Sequence, residues 1–176
     1  MKKVLKFAGA FAFVLALVAF ILLMATKGIK YEYDGGIIGK LVGDVEGSVV
    51  LFGKTEKTVL GDVVTKAAPT ALVAWILIIV AMVALLAGVV LPLLKAKDAQ
   101  KIAGLMNVCA ALLLVVGGVL LFFTVNSFTS VNDLSSYAKY HHLTAGWIVS
   151  AILALLGGVV ALLPACVDFV GKKKKK

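Results

Sequence analysis

Few residues in this chain have types and spacing that could do chemistry. Gly53-Lys54-Thr55 matches the end of a phosphate-binding loop, in which glycine amides and a lysine cradle a polyphosphate. That loop needs its first glycine where this chain has Ser48, and Gly47 stands one place too early. It must also open a helix, whereas Thr55 leads into the strand-like "EKTVLGDVV". The triplet therefore reads as a charged hairpin turn, and no nucleotide is expected. His141-His142 is the next candidate. Neighbouring side chains on a helix diverge by about 100°, so the two rings would not close on one metal. Asp133 is the single carboxylate near them, too little for a structural site. Both histidines are expected at a membrane interface, with no metal.

The thiols are Cys109 and Cys166, each in or beside an apolar run, where cysteine acts as a small apolar filler. No cysteine falls in a connection that could form an extracellular disulfide. Asn107, Thr124 and Ser150 are the main polar groups inside apolar runs. Asn107 is expected to hydrogen-bond a neighbouring helix. The apolar runs hold no acid–base pair, no nucleophile with its base and no ligand cluster. The expectation is a protein that is not an enzyme and carries no cofactor.

The elements that position these residues are dictated by composition. The chain has 176 residues, 62% of them hydrophobic, with a mean hydropathy of +1.08. Four charge-free runs carry the excess: Phe7–Ala25, Ala67–Leu94, Ile102–Val125 and Leu143–Val167, of 19, 28, 24 and 25 residues. About 20 apolar residues cross a hydrocarbon core as a helix, and only internally bonded backbone is tolerated there. The expected fold is an all-α integral membrane protein, a single domain over 1–176. Its four transmembrane helices fall at about 4–26, 67–95, 100–125 and 142–168, with a small antiparallel β-sheet formed by the first extracellular loop. The first run reads as an anchor and not a cleaved signal, because no A-x-A site precedes Thr26-Lys27.

Lysine placement orients the bundle. Both termini and the middle connection hold eleven lysines against Asp98 and Asp168. The two other connections hold seven lysines and seven acids. Positive charge stays on the cytoplasmic side, so both termini are expected inside a plasma membrane. The net +9 then implies contact with anionic lipid, not nucleic acid. Lys172, Lys173, Lys174, Lys175 and Lys176 would meet the inner-leaflet head groups. Asp98 and Lys101, three apart, are expected to pair.

The first outer connection, 26–66, is predicted to form the sheet. "GIKYEYDGG" alternates, with Ile29, Tyr31 and Tyr33 on one face and Lys30, Glu32 and Asp34 on the other. "GDVEGSVVLFG" and "KTVLGDVV" read as further strands, with Lys54–Lys57 as the turn. The second connection, 126–142, suggests a short helix over Leu134–Tyr140, capped from Asn132-Asp133. Trp75, Phe122, Phe123, Phe128, Tyr137, Tyr140 and Trp147 are expected in an interfacial aromatic belt. Stripes of small residues, Ala8, Ala12 and Ala16, and Gly146, Ser150, Ala154 and Gly158, predict close helix seams or a contact with a second copy. Pro92 and Pro164 fall near inner helix ends, where a break costs little.

Four spans, a long β-like first outer loop and a shorter second one resemble the claudin-type tetraspan layout. The resemblance is one of layout: residues 26–66 hold neither the tryptophan nor the cysteine pair of that family, so no residue role is carried over. The expected function is non-enzymatic contact with a protein partner, further copies of the chain or cell-surface material. Tyr31, Tyr33 and Phe52 are the candidate contact residues. The alternative is an accessory or pore-forming subunit of a transporter or channel.

Overall fold

A computed structural model of the protein describes residues 7–34, 40–58, 61–94 and 98–173, with the side chains of 94 and 165–173 excepted. Four long helices dominate it: α1 (Ala8–Ala25), α3 (Pro69–Val90), α4 (Ala99–Phe122) and α6 (Ala145–Lys173). Each contains a stretch long and apolar enough to cross a membrane. Pro69 starts α3 at its first turn, where the missing N–H is not needed. Past α3 the chain tightens into a 3₁₀ turn, Leu91–Leu94, around Pro92, whereas Pro164 is carried inside α6. Asp98 opens α4 in a left-handed conformation, and its carboxylate takes the expected ion pair from Lys101 at 2.8 Å.

The helices pack in a ring, α1 against α3, α3 against α4, α4 against α6 and α6 against α1. Small residues line its interior: Ala12, Ala16 and Ala19 of α1, Ala71, Ala74 and Ala81 of α3, and Ala151 and Ala154 of α6 are fully buried. Many large apolar side chains face outward, with Phe11, Val83, Leu105 and Val159 more than half exposed, while Leu23, Ile78, Leu85, Leu114 and Leu121 are buried between the helices. A bundle folded in water does the reverse. The seams are backbone-close. A Cβ on Gly158 would lie 2.9 Å from the Ala111 carbonyl oxygen, and one on Gly118 would lie 3.0 Å from that of Ala151. The two stripes read from the sequence thus lie at internal seams, with Ala8, Ala12, Ala16, Ser150, Ala154 and Gly158 buried and Gly146 set against Thr26.

Asn107 departs from expectation. Its Oδ1 is buried with no hydrogen-bond partner among the described residues, in a notch left by Gly9 of α1 and Gly88 of α3. An orphaned acceptor opposes folding. Replacing Asn107 with the isosteric Leu should therefore stabilise the protein by about 1 kcal/mol, raising the melting temperature in detergent. Asn107→Ala, which also leaves a void, should not.

The connections at one end of the ring build a head. From the first come β1 (Lys27–Asp34), β2 (Lys40–Glu46), a short helix α2 (Gly47–Phe52), β3 (Lys54–Thr58) and β4 (Gly61–Thr65). The second forms α5 (Thr124–Val131), a 3₁₀ turn (Ser135–Tyr140) and β5 (His141–Leu143). Two antiparallel sheets result, one ordered β2-β1-β5 and one a β3–β4 hairpin. The first strand forms as predicted. Three other expectations fail. "SVVLF" is helical because it buries Val50 and Leu51 under the head, a fit that a surface strand would not give. Lys54–Lys57 belongs to β3, which pairs antiparallel with β4 as far as Thr58 with Gly61. The third strand of the main sheet comes from the second connection, because β1 has a free edge where Ile29 meets Leu143.

The second connection also differs. α4 ends at Phe123, whose N–H bonds back to Leu120, and α5 follows as a separate helix. The expected capped helix is a 3₁₀ turn without a side-chain cap. Asn132 instead clamps the end of the first connection: its Oδ1 accepts from the Lys66 N–H at 2.7 Å and its Nδ2 donates to the Lys66 carbonyl at 3.0 Å. Trp147 and Phe128 are core residues of the head and not part of a belt.

Candidate functional site

β1 emerges directly from α1 and carries alternate residues to two faces. Ile29 is fully buried against the bundle, so the same face holds Tyr31 and Tyr33 farther out. β5 lies along the opposite edge from β2, in register Ile29 with Leu143, Lys30 with His142 and Tyr31 with His141. The 3₁₀ turn before β5 brings Tyr137 and Tyr140 to Tyr33. All four tyrosines of the chain thereby line one cavity of about 430 Å³, with His141, Leu41 and Leu134.

Ring geometry sets the shape of this cavity. Tyr33 stands nearly perpendicular to Tyr140 at 5.1 Å and to Tyr137 at 6.1 Å, centroid to centroid, the edge-to-face arrangement that ring quadrupoles favour. Tyr31 and His141 are tilted at 5.9 Å. The imidazole is held by Nδ1, 2.9 Å from the Tyr137 carbonyl. Gly43, opposite Tyr31 in the sheet, makes room for this ring, since a Cβ there would fall 2.1 Å from the phenol oxygen.

The opposite face of the sheet is electrostatic. Glu32 accepts from Lys40 and lies 3.6 Å from Lys30, and Lys27 reaches Asp44 at 2.6 Å. The hydrogen bond from Lys40, then its charge, holds the Glu32 carboxyl below the usual glutamate range. The bond to Asp44 raises Lys27. A depressed carboxyl stabilises the head above the ordinary glutamate range and stops doing so as the pH falls through its folded value. The groups are solvent-exposed, so the effect is small. In an NMR titration, Lys40→Ala should return Glu32 upward towards its ordinary value.

The other candidates sit elsewhere. Phe52 is half exposed and packs edge-on against Trp75 at 5.3 Å, with Phe20 stacked on the far side at 5.8 Å. It does not join Tyr31 and Tyr33. Gly53-Lys54-Thr55 runs out of helix α2 into strand β3, the reverse of a phosphate loop, and Lys54 pairs with Glu56 at 2.7 Å. His141 and His142 both lie on strand β5 and not on a helix. Cys109 is an exposed free thiol. Cys166 and the side chains of Lys172 and Lys173 lie outside what is described, as do Lys174–Lys176. Sequence reasoning missed Tyr137, Tyr140, His141 and Gly43 as parts of one site. The spacing of Tyr137 and Tyr140 hinted at a shared face, but only the pairing of β1 with β5 joins them to Tyr31 and Tyr33. No family model matches the chain, and no curated protein is similar to it.

Proposed function

We propose that this chain is a non-enzymatic four-span protein of the cytoplasmic membrane. Its head stands outside the cell and binds a protein or cell-surface partner through the tyrosine-lined cavity. The observation that carries this reading is the convergence of every tyrosine, from two connections about a hundred residues apart, on one open hollow. Exposed loops held by a rigid scaffold are where recognition concentrates, and tyrosine supplies large contact area with little conformational entropy to lose. The outward-facing large side chains of the ring support residence in lipid, where close packing of small residues replaces the hydrophobic effect. The lysine asymmetry supports the orientation, and Lys172–Lys176 then lie against anionic lipid.

Deleting residues 30–64 would be a poor test, since it removes Val50 and Leu51 from the core. The cleaner variant is Tyr33→Ala with Tyr140→Ala. Partner cross-linking on intact cells should fall at least tenfold, while membrane insertion and melting temperature stay near wild type. Undiminished capture by a normally inserted double variant overturns the proposal.

A further inference from the structure

We infer that the tyrosine-lined cavity takes a quaternary ammonium group. This rests on the reading of the cavity as the recognition site and names the chemistry of what enters it. Rings at right angles form a corner: Tyr33 meets Tyr137 and Tyr140 at interplanar angles of 76° and 83°, and Tyr31 adds a further wall beside His141. In such a corner one small cation lies within about 6 Å of several ring centroids, the range over which the negative ring faces attract it. The chain already uses this attraction, with the Lys139 ammonium 4.9 Å from the centroid of Tyr140.

The wall composition selects among ligands. Among the described residues no lysine or arginine lines the cavity, and Lys139 is engaged over the Tyr140 ring, so a phosphate or carboxylate would meet at most that one charge. Among the described residues no acid lines it either, so a primary ammonium or a metal ion would lose its strong hydration with no charged partner in return. Glu32, the acid between the two β1 tyrosines, is committed to Lys30 and Lys40. A trimethylammonium group has no N–H to satisfy and presents a methyl-covered surface, which suits phenol faces flanked by Leu41 and Leu134. Tyr31, Leu134 and His141 also line a second hollow of about 280 Å³, and the first hollow is open, so the body that carries the cation can extend out of it. That body is choline-like, either the phosphocholine head group of a cell-surface lipid or a free choline solute.

The test uses full-length protein with 3-fluorotyrosine, purified in a maltoside detergent, whose four ¹⁹F signals report the four walls. Tetramethylammonium chloride should give saturable shifts with a millimolar dissociation constant, and ammonium chloride at equal ionic strength should not. Tyr33→Leu should bind about fivefold more weakly, and Tyr33→Phe, which keeps the ring, should bind like wild type. Choline and phosphocholine added free, against phosphatidylcholine nanodiscs, distinguish a solute from a lipid source. Absence of saturable shifts, or equal binding by a folded Tyr33→Leu variant, overturns the inference. If cell-surface capture still depends on Tyr33 and Tyr140 in that case, the recognition reading stands without the ammonium chemistry. If capture survives too, both fall.

Discussion

Trp147→Ala should destabilise the protein by about 3–5 kcal/mol, the range for emptying a buried aromatic site. Its melting temperature in detergent should fall further than that of any other large-to-alanine variant in the head. Trp147 is the largest fully buried side chain, and it stands in the first turn of α6 where β1 and α2 close on it. Gly28 of β1 approaches the indole so closely that a Cβ there would lie 3.1 Å from Cε2 and Cζ2. Gly47 of α2 approaches Nε1 to the same distance, and Val50 Cγ2 crowds the same Cβ position on Gly28 at 2.9 Å. Removing the indole leaves a void bounded by backbone, which cannot collapse easily. Nε1 has no hydrogen-bond partner among the described residues, so Trp147→Phe loses area without losing a bond. It should cost clearly less than the alanine change. A Trp147→Ala variant that melts with wild type would show that the head and bundle are not joined through this residue.

Gly47→Ala should be nearly as damaging, although it adds a single methyl. A Cβ at residue 47 would stand 2.2 Å from the Leu23 carbonyl oxygen and 2.6 Å from that of Thr26. Both oxygens belong to the end of α1, and the Gly47 N–H is bonded to the second at 3.1 Å. Overpacking against side chains costs about 1–3 kcal/mol. Here the colliding atoms are backbone, so the upper part of that range applies, with β2 and α2 forced off the helix. Gly104→Ala provides the contrast. Gly104 lies inside α4 with open space where a Cβ would go, so alanine should stabilise the helix by about 0.5–1 kcal/mol. Parallel thermal melts of the two variants should move in opposite directions. Two shifts of the same sign would mean that the close approach of α2 to α1 is not a constraint.

The spans were legible because their signal is cumulative. Nineteen or more apolar residues without a charge make a helix long and apolar enough to cross a membrane, and helix ends moved by only a few positions from those read in the sequence. The β1 alternation was equally legible, since a strand with one buried face must repeat every second residue. The short head elements were not. "SVVLF" has the β-branched look of a strand, yet it is six residues of helix, because Gly47 and Gly53 allow tight entry and exit and the bundle end offers a site for Val50 and Leu51. Gly53 makes that exit at a φ of 74°, a conformation glycine reaches without strain. The surroundings of Asn107 and Asn132 were likewise hidden, the first with an Oδ1 that finds no partner among the described residues and the second binding both backbone polar groups of Lys66.

Composition and periodicity were sufficient for four helices, their antiparallel succession and a strand bearing Ile29, Tyr31 and Tyr33 on one side. These follow from local physics, in which each run is committed by its own residues and by the need to satisfy its backbone. The joining of Tyr31 and Tyr33 to Tyr137, Tyr140 and His141 depends on which edge of β1 the second connection takes and in what register. Residues separated by a hundred positions carry no local mark of that pairing. It exists because the helix ring brings the ends of α1 and α6 together, where Thr144 bonds Gly28 and Trp147 fills the gap behind them.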